Sequence, residues 1–413
     1  MRKIIQGWIV LLLFGFIAES AFAQVSFFQL KIKNSGVYRI SSERARQLGF
    51  SSLAEVSVFG YPGMLPQKLD SIQLKLQEIP ALEQDGNLYF FLTGPHSVNM
   101  QEKGNPTYIH HLFTDSLSFL IGKNPKPKRI SAVSASPENP DPNQIWYSWT
   151  SYKEDKNNVL NSGRDWYSNP IRQGQSLNVN LGLRSEAPAP WLLFGKVMGQ
   201  SFSPAQLNIL TGNQTIGTLE IGAIPNTTYG AKGREVSFNW EFNPTGGTLP
   251  QIRFTFQGSG AESAGYLDQL SVGVPFSNSS LAEGIFENPE PGKIRLFSNL
   301  KTWEISDFFN PQAVNSVPGK SASGKKWVIF SAEKTPEISQ FKEVSLKLRE
   351  TTLSPEFLII TAPSLLSSAN KLRIHKESRG IRTQVVLVED VFRNFGYGNP
   401  DITAIRNYIA HLY

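Results

Sequence analysis

The chain has no cysteine, only 5 histidines and 4 methionines in 413 residues, and no long apolar run beyond its first two dozen positions. Without thiols no disulfide can staple the fold and no thiolate can serve as a nucleophile, so the protein must hold together by burial alone. No later segment approaches the length of a membrane-spanning helix. Charge is also thin: 40 Lys+Arg against 34 Asp+Glu leave a formal +6, spread along the chain. The one basic stretch, "GKNPKPKRI", sits between turn formers and reads as a solvated linker. Nucleic acid is therefore not an expected partner.

What is present begins with an export signal. Met1, Arg2 and Lys3 precede an apolar run from Ile4 to Ala18, then "SAFAQ" with small residues Ala21 and Ala23 either side of Phe22. This is the layout of a secretory signal peptide over residues 1–23, cleaved after Ala23. An uncleaved anchor is the alternative, and Glu19 and Ser20 argue against it by interrupting the apolar run.

From 24 to about 135, short apolar stretches such as "VSFFQLKI", "NLYFFLTGP" and "DSLSFLIG" alternate with turn formers and predict a small β-rich domain, with "SSERARQLGF" as its one short helix. The Pro-rich "SASPENPDPNQ" follows as a linker. Repeated strands at even spacing from 146 to 280 predict an antiparallel β-sandwich or jelly roll, and 281–350 reads as a β-rich connecting region. The pattern then changes. From 354 to 413, "PEFLIIT" and "RTQVVLVE" read as buried strands, with a helix between Pro363 and Gly380 and a last helix capped by Asn399 with Pro400 at its first position. Strand, helix, strand, helix is the opening of a parallel α/β sheet. The stripe Ile402, Ile405, Ile409 and Leu412 on the last helix has no partner after it, so the end reads as a truncation and the α/β piece as exposed and aggregation-prone.

Chemistry-bearing residues are few. No Gly-x-Ser-x-Gly elbow occurs. His110 and His111 lie four and five residues before Asp115, but adjacent strand residues point to opposite faces, so they do not make a metal site. His375 lies on a charged helix face, and His411 lies beside Leu412. Glu389, Asp390 and Asp401 fall near strand ends, where ligands of parallel sheets gather, yet they read best as first-turn acids and helix caps. The sequons at Asn213, Asn226 and Asn278 are explained by turn chemistry. Trp146, Trp149, Trp166 and Trp191 could suggest a sugar-binding sandwich, although aromatics in sandwiches usually fill the core.

Ile360 and Thr361, Gly380 and Val385, Val388, Glu389 and Asp390, then Tyr397, Gly398, Pro400, Asp401, Ala404, Ile405 and Arg406 form an ordered series. It resembles the start of the gingipain-like, clan CD cysteine peptidases of family C25. Upstream, "NSGRDWYSNP", "SAGYLDQLSV" and "KTWEISDFFNP" are similar to the β-rich region of the type IX secretion sortases in that family. The resemblance implies a multidomain, mainly β protein, a small β-rich domain plus a β-sandwich, followed by the truncated start of a caspase-like α/β gingipain domain. It further implies a cell-surface, outer-membrane-associated protein that works with other type IX components. Its partners would be cargo proteins carrying a C-terminal sorting domain and an anionic lipopolysaccharide acceptor. The family's catalytic His and Cys come from later strand ends. No catalytic, cofactor-binding or metal-binding residue is therefore assigned, and without a Cys the 413 residues are expected to be inactive alone. The other reading is a non-catalytic exported β-rich binding or scaffold module.

Overall fold

A computed structural model describes residues 26–100, 106–315, 317, 320–351 and 354–413; the expected signal peptide lies outside them. The first unit runs β1 (Phe27–Ile32), β2 (Gly36–Ser41), α1 (Ser42–Gln47), β3 (Val56–Phe59), β4 (Glu78–Ile79), β5 (Leu82–Gln84) and β6 (Asn87–Leu92). The hairpin β7 (His96–Met100) and β8 (Pro106–His110) and then β9 (Leu117–Lys123) complete it. Helix α1 starts where the sequence predicts, with the Ser41 hydroxyl accepting from the Arg44 N–H at 3.2 Å. Its core joins Leu30, Ile40, Val58, Leu88, Phe90, Phe119 and Ile121 from both small sheets of the unit.

After β10 (Ser131–Val133), the sandwich contains β11 (Ile145–Lys153), β12 (Ser176–Arg184), β13 (Trp191–Gln200), β14 (Ala205–Thr211) and β15 (Gln214–Ile221). Next come β16 (Arg234–Phe242), β17 (Thr248–Gln257) and β18 (Ala264–Ser277). Strict alternation in "AQLNILT" turns Leu207 and Ile209 inward, as period-two patterning requires of a strand buried on one face. They meet Val179, Trp191, Ile252, Phe254, Phe256, Leu270 and Val272 in the largest core of the molecule. Trp146 and Trp191 are buried, so neither offers a sugar platform. Asn278 is also fully buried: its amide donates to the Asp141 and Lys293 carbonyls and its oxygen accepts from the Trp146 indole at 3.1 Å. That sequon is a structural hub.

The segment after the sandwich does more than connect. Strands β19 (Gly284–Arg295), β20 (Lys301–Glu304), β21 (Gln312–Val314) and β22 (Ser321–Phe330) extend the sandwich's larger sheet to nine strands, in the order β10-β21-β20-β22-β19-β11-β18-β13-β16. The opposing sheet is β12-β17-β14-β15. Strand β23 (Lys342–Val344) then returns to the first unit and pairs with β1, giving the sheet β23-β1-β9-β3-β4.

The last unit contains β24 (Phe357–Thr361), α2 (Leu366–Glu377), β25 (Thr383–Leu387), α3 (Val388–Phe395) and α4 (Ile402–Leu412). The two strands pair in parallel, from Phe357↔Thr383 to Thr361↔Leu387, and Gly380 at φ 79° ends the α2 turn. Three expectations are corrected here. The strands are half-buried rather than buried, with Thr361 and Val386 alone buried, and among the described residues no third strand pairs with either of them. An unexpected helix, α3, follows β25 without a loop. In α4 the covered face is Thr403, Ala404, Asn407 and Tyr408, while Ile402 and Ile409 are exposed.

Candidate functional site at the docked α/β unit

The C-terminal ends of β24 and β25, the edge at which a parallel sheet gathers ligands, lie at Thr361 and Leu387. The later family-like residues, from Tyr397 to Arg406, follow this edge and meet the first unit of the protein. Glu389 and Asp390 occupy the first turn of α3, and Asp390 pairs with Arg393 at 2.8 Å, so both are helix-start acids. Asp401 caps α4: one carboxylate oxygen accepts from the Thr403 N–H at 2.8 Å, and the other accepts from the Leu65 N–H at 2.7 Å. Asp401 is 1% exposed, so this carboxylate is committed to joining two units rather than to solvent or ligand.

Asn399, expected as the helix cap, is drawn elsewhere. Its carboxamide accepts from the Ser118 N–H at 2.8 Å and donates to the Ser118 carbonyl at 3.1 Å, reading β9 as a neighbouring strand would. Capping then falls two residues later, to Asp401. Gly398 has φ 91°, and a Cβ there would collide with Gln29, whose amide donates to the Ser118 hydroxyl at 2.9 Å. Tyr397 takes up φ 56°, and its hydroxyl accepts from the Gln77 N–H at 2.9 Å; burial raises its pKa.

Two arginines complete the seam. Arg406 donates to the carbonyls of Gln67 and Pro66 in the loop between β3 and β4. Arg349 lies 4.6 Å over the Phe395 ring and donates to the Leu74 carbonyl at 2.7 Å and to the Asn394 carbonyl at 2.5 Å; burial pushes its pKa down to about 10. Beneath this polar layer, Phe59, Leu65 and Leu120 of the first unit share one apolar cluster with Val386, Val391, Phe395, Ala404 and Tyr408. The α/β unit is thus docked on the first sheet.

The histidines divide as strand alternation predicts. His110 stands across from His96 on the hairpin, and His96 Nδ1 lies 2.6 Å from the Tyr108 hydroxyl. His111 turns the other way and is buried, and desolvation lowers its pKa. His375 is exposed on α2, and His411 packs 5.2 Å from Phe395. Among the described residues, no three His, Cys, Asp or Glu side chains cluster as a metal site would require. Arg349 and Asn394 were not singled out from sequence, and Asn399 only as a helix cap. Their partners lie up to 281 residues away, and no local pattern marks such pairs.

Residues 350–413 match the model of peptidase family C25. Among solved structures, the fold is similar to dimeric latent PorU from Porphyromonas gingivalis, with a TM-score of 0.81 at 18% identity over 95% of this chain and 40% of that one. The chain therefore spans about two fifths of the length of that relative. A CBM36-1 domain of a multidomain xylanase from the hindgut metagenome of Trinervitermes trinervoides aligns over 31% of this chain and 94% of its own, at 14% identity and a TM-score of 0.21, too low to mark a shared fold. No curated protein sequence matches the chain.

Proposed function

We propose that this chain, which has the PorU fold and carries a C25-type segment at its C-terminal end, is the β-rich platform and first sheet strands of an exported gingipain-like cysteine endopeptidase of the sortase kind. In this reading the whole enzyme removes the C-terminal signal of type IX secretion cargo. It passes the resulting acyl group to an amine on cell-surface anionic lipopolysaccharide and sits at the outer membrane with other components of that system. The observation that supports it most is the seam: Tyr397, Gly398, Asn399, Asp401 and Arg406, within the C25-matched segment, all meet the first unit. A platform that fixes the first strands of a peptidase sheet is what a C25 enzyme with a long β-rich region requires.

The 413 residues contain no Cys, so the thiolate of such an enzyme must come from sequence beyond them. The test is to read the coding frame past codon 413, express the continued protein and assay cleavage of a cargo-junction peptide. Cleavage that is lost when the newly encoded Cys is changed to Ala is the expected result. A stop codon directly after Tyr413, or cleavage indifferent to that change, would remove the enzymatic reading and leave the non-catalytic binding or scaffold module.

A further inference from the structure

The nine-stranded sheet is not continuous. Strand β11 is fully paired with β18 along one side, from Ile145↔Ser277 to Lys153↔Gln269, but on its other side it meets β19 at the single position Tyr147↔Glu287. The Asn288 amide donates to the Ile145 carbonyl at 2.7 Å, so odd-numbered residues of β11 turn their backbone groups toward β19. Past Tyr147 the ladder stops, and the backbone of Trp149 and Ser151 faces a gap. A cavity of about 520 Å³ occupies that gap, lined by β11 from Tyr147 to Ser151, by Ile285 and Glu287 of β19, and by Ile305, Phe308 and Lys326.

The third wall is the hairpin strand β7, and it also presents a free edge. The His111 N–H donates to the Pro95 carbonyl at 2.9 Å, which makes Ser97 and Asn99 the residues bonded to β8 and turns the backbone of His96, Val98 and Met100 away from it. Two of those outward groups are met by side chains. Glu287 accepts from the Met100 N–H at 2.7 Å, and Lys326 donates to the Val98 carbonyl at 3.1 Å. This ion pair, 3.3 Å apart, stands where part of a strand would stand.

We infer that the gap between β11 and β19 is a binding slot for an extended peptide, which adds as a strand along the free edge of β11 beneath the β7–β8 hairpin. Main-chain hydrogen bonds to Trp149 and Ser151 supply its affinity, as in other strand-addition sites. Its central side chains are uncharged, because Ile285, Ile305 and Phe308 line the slot and its Glu287–Lys326 ion pair is already matched. From Trp149 to Ser151 the slot exposes about three residues of this edge, on the order of 10 Å at ~3.3 Å per residue. This site lies between the sandwich's larger sheet and the first unit and does not rest on the peptidase reading.

The absence of native cysteine allows a direct test in the full chain. With Ser97→Cys at the slot rim, a blocked hexapeptide of alternating valine and threonine carrying a terminal Cys is tethered by a disulfide, and amide exchange is followed over residues 147–153. Asn34→Cys, a second position in the slot lining, repeats the measurement in case the first variant lowers the melting temperature. The expected result is at least tenfold slower exchange over 147–153 with the ordinary peptide and no change with its fully N-methylated counterpart. No slowing from either position, or equal slowing by the N-methylated peptide, overturns the proposal.

Discussion

The sandwich and the C-terminal α/β unit solve the problem of burial in opposite ways. Strands β14 and β17 alternate cleanly and close a core built from the sandwich's own residues, including Leu207, Ile209, Phe254 and Phe256. The α/β unit has two half-buried strands, and its covered residues, Val391, Phe395, Ala404 and Tyr408, sit in a cluster shared with Phe59, Leu65 and Leu120. One region closes its core on its own residues; the other borrows a surface. Polar contacts differ in the same sense, for those of Asn399, Asp401 and Arg349 run to residues that lie hundreds of positions earlier.

Predictions can break this contrast at several strengths. The largest effect is expected from Phe254→Ala, which empties a fully buried position in the sandwich core. A loss of about 3–5 kcal/mol, typical of such truncations, should appear as a lowered melting temperature of the sandwich. Slow exchange in the α/β unit should then depend on the first unit rather than on the sandwich.

Asn399→Ala and Asp401→Ala come next. Each strands buried backbone groups, at Ser118 or Leu65, for a cost of about 1–3 kcal/mol. Their effect should be local: proteolysis and amide exchange speed up across 354–413 while the sandwich stays as it was.

A pH-dependent effect belongs to the β7–β8 hairpin. Burial, with Lys153 nearby, lowers the His110 pKa from 6.5 to about 4, so the folded hairpin holds the ring neutral while the unfolded chain takes up a proton at a higher pH. Stability therefore falls as pH drops from about 6.5 toward 4 and levels off below that. Exchange in 96–110 should rise over this window, and His110→Gln should flatten the dependence. The smallest change is expected from Ile409→Glu on the exposed side of α4, within about 0.5 kcal/mol in a denaturant titration.

The sandwich was legible because its strands obey a local rule. Period-two alternation is written residue by residue, as in "AQLNILT", and needs no knowledge of the partner strand. The α/β order was legible for a similar reason, down to Gly380 past the end of α2. Helix α3 was hidden because Val388 continues the apolar run of β25, so the change of period has no turn former to announce it. Cap position failed at Asn399 because Ser118 competes for its amide, and the apolar stripe on α4 held only for Ile405 and Leu412, which pack against the shared cluster, while docking turns Ala404 and Tyr408 inward and leaves Ile402 and Ile409 exposed. The break between β11 and β19 was invisible in sequence, since it depends on where two strands about 140 residues apart stop pairing.

The central claim, that the C25-like segment is held by the first unit, is tested most directly by amide exchange over 354–413 in the Asn399→Ala, Asp401→Ala double variant of the full chain. The account predicts exchange there faster by at least tenfold, with β14 and β17 unchanged. Unchanged protection of 354–413 would contradict it and make the α/β unit self-sufficient.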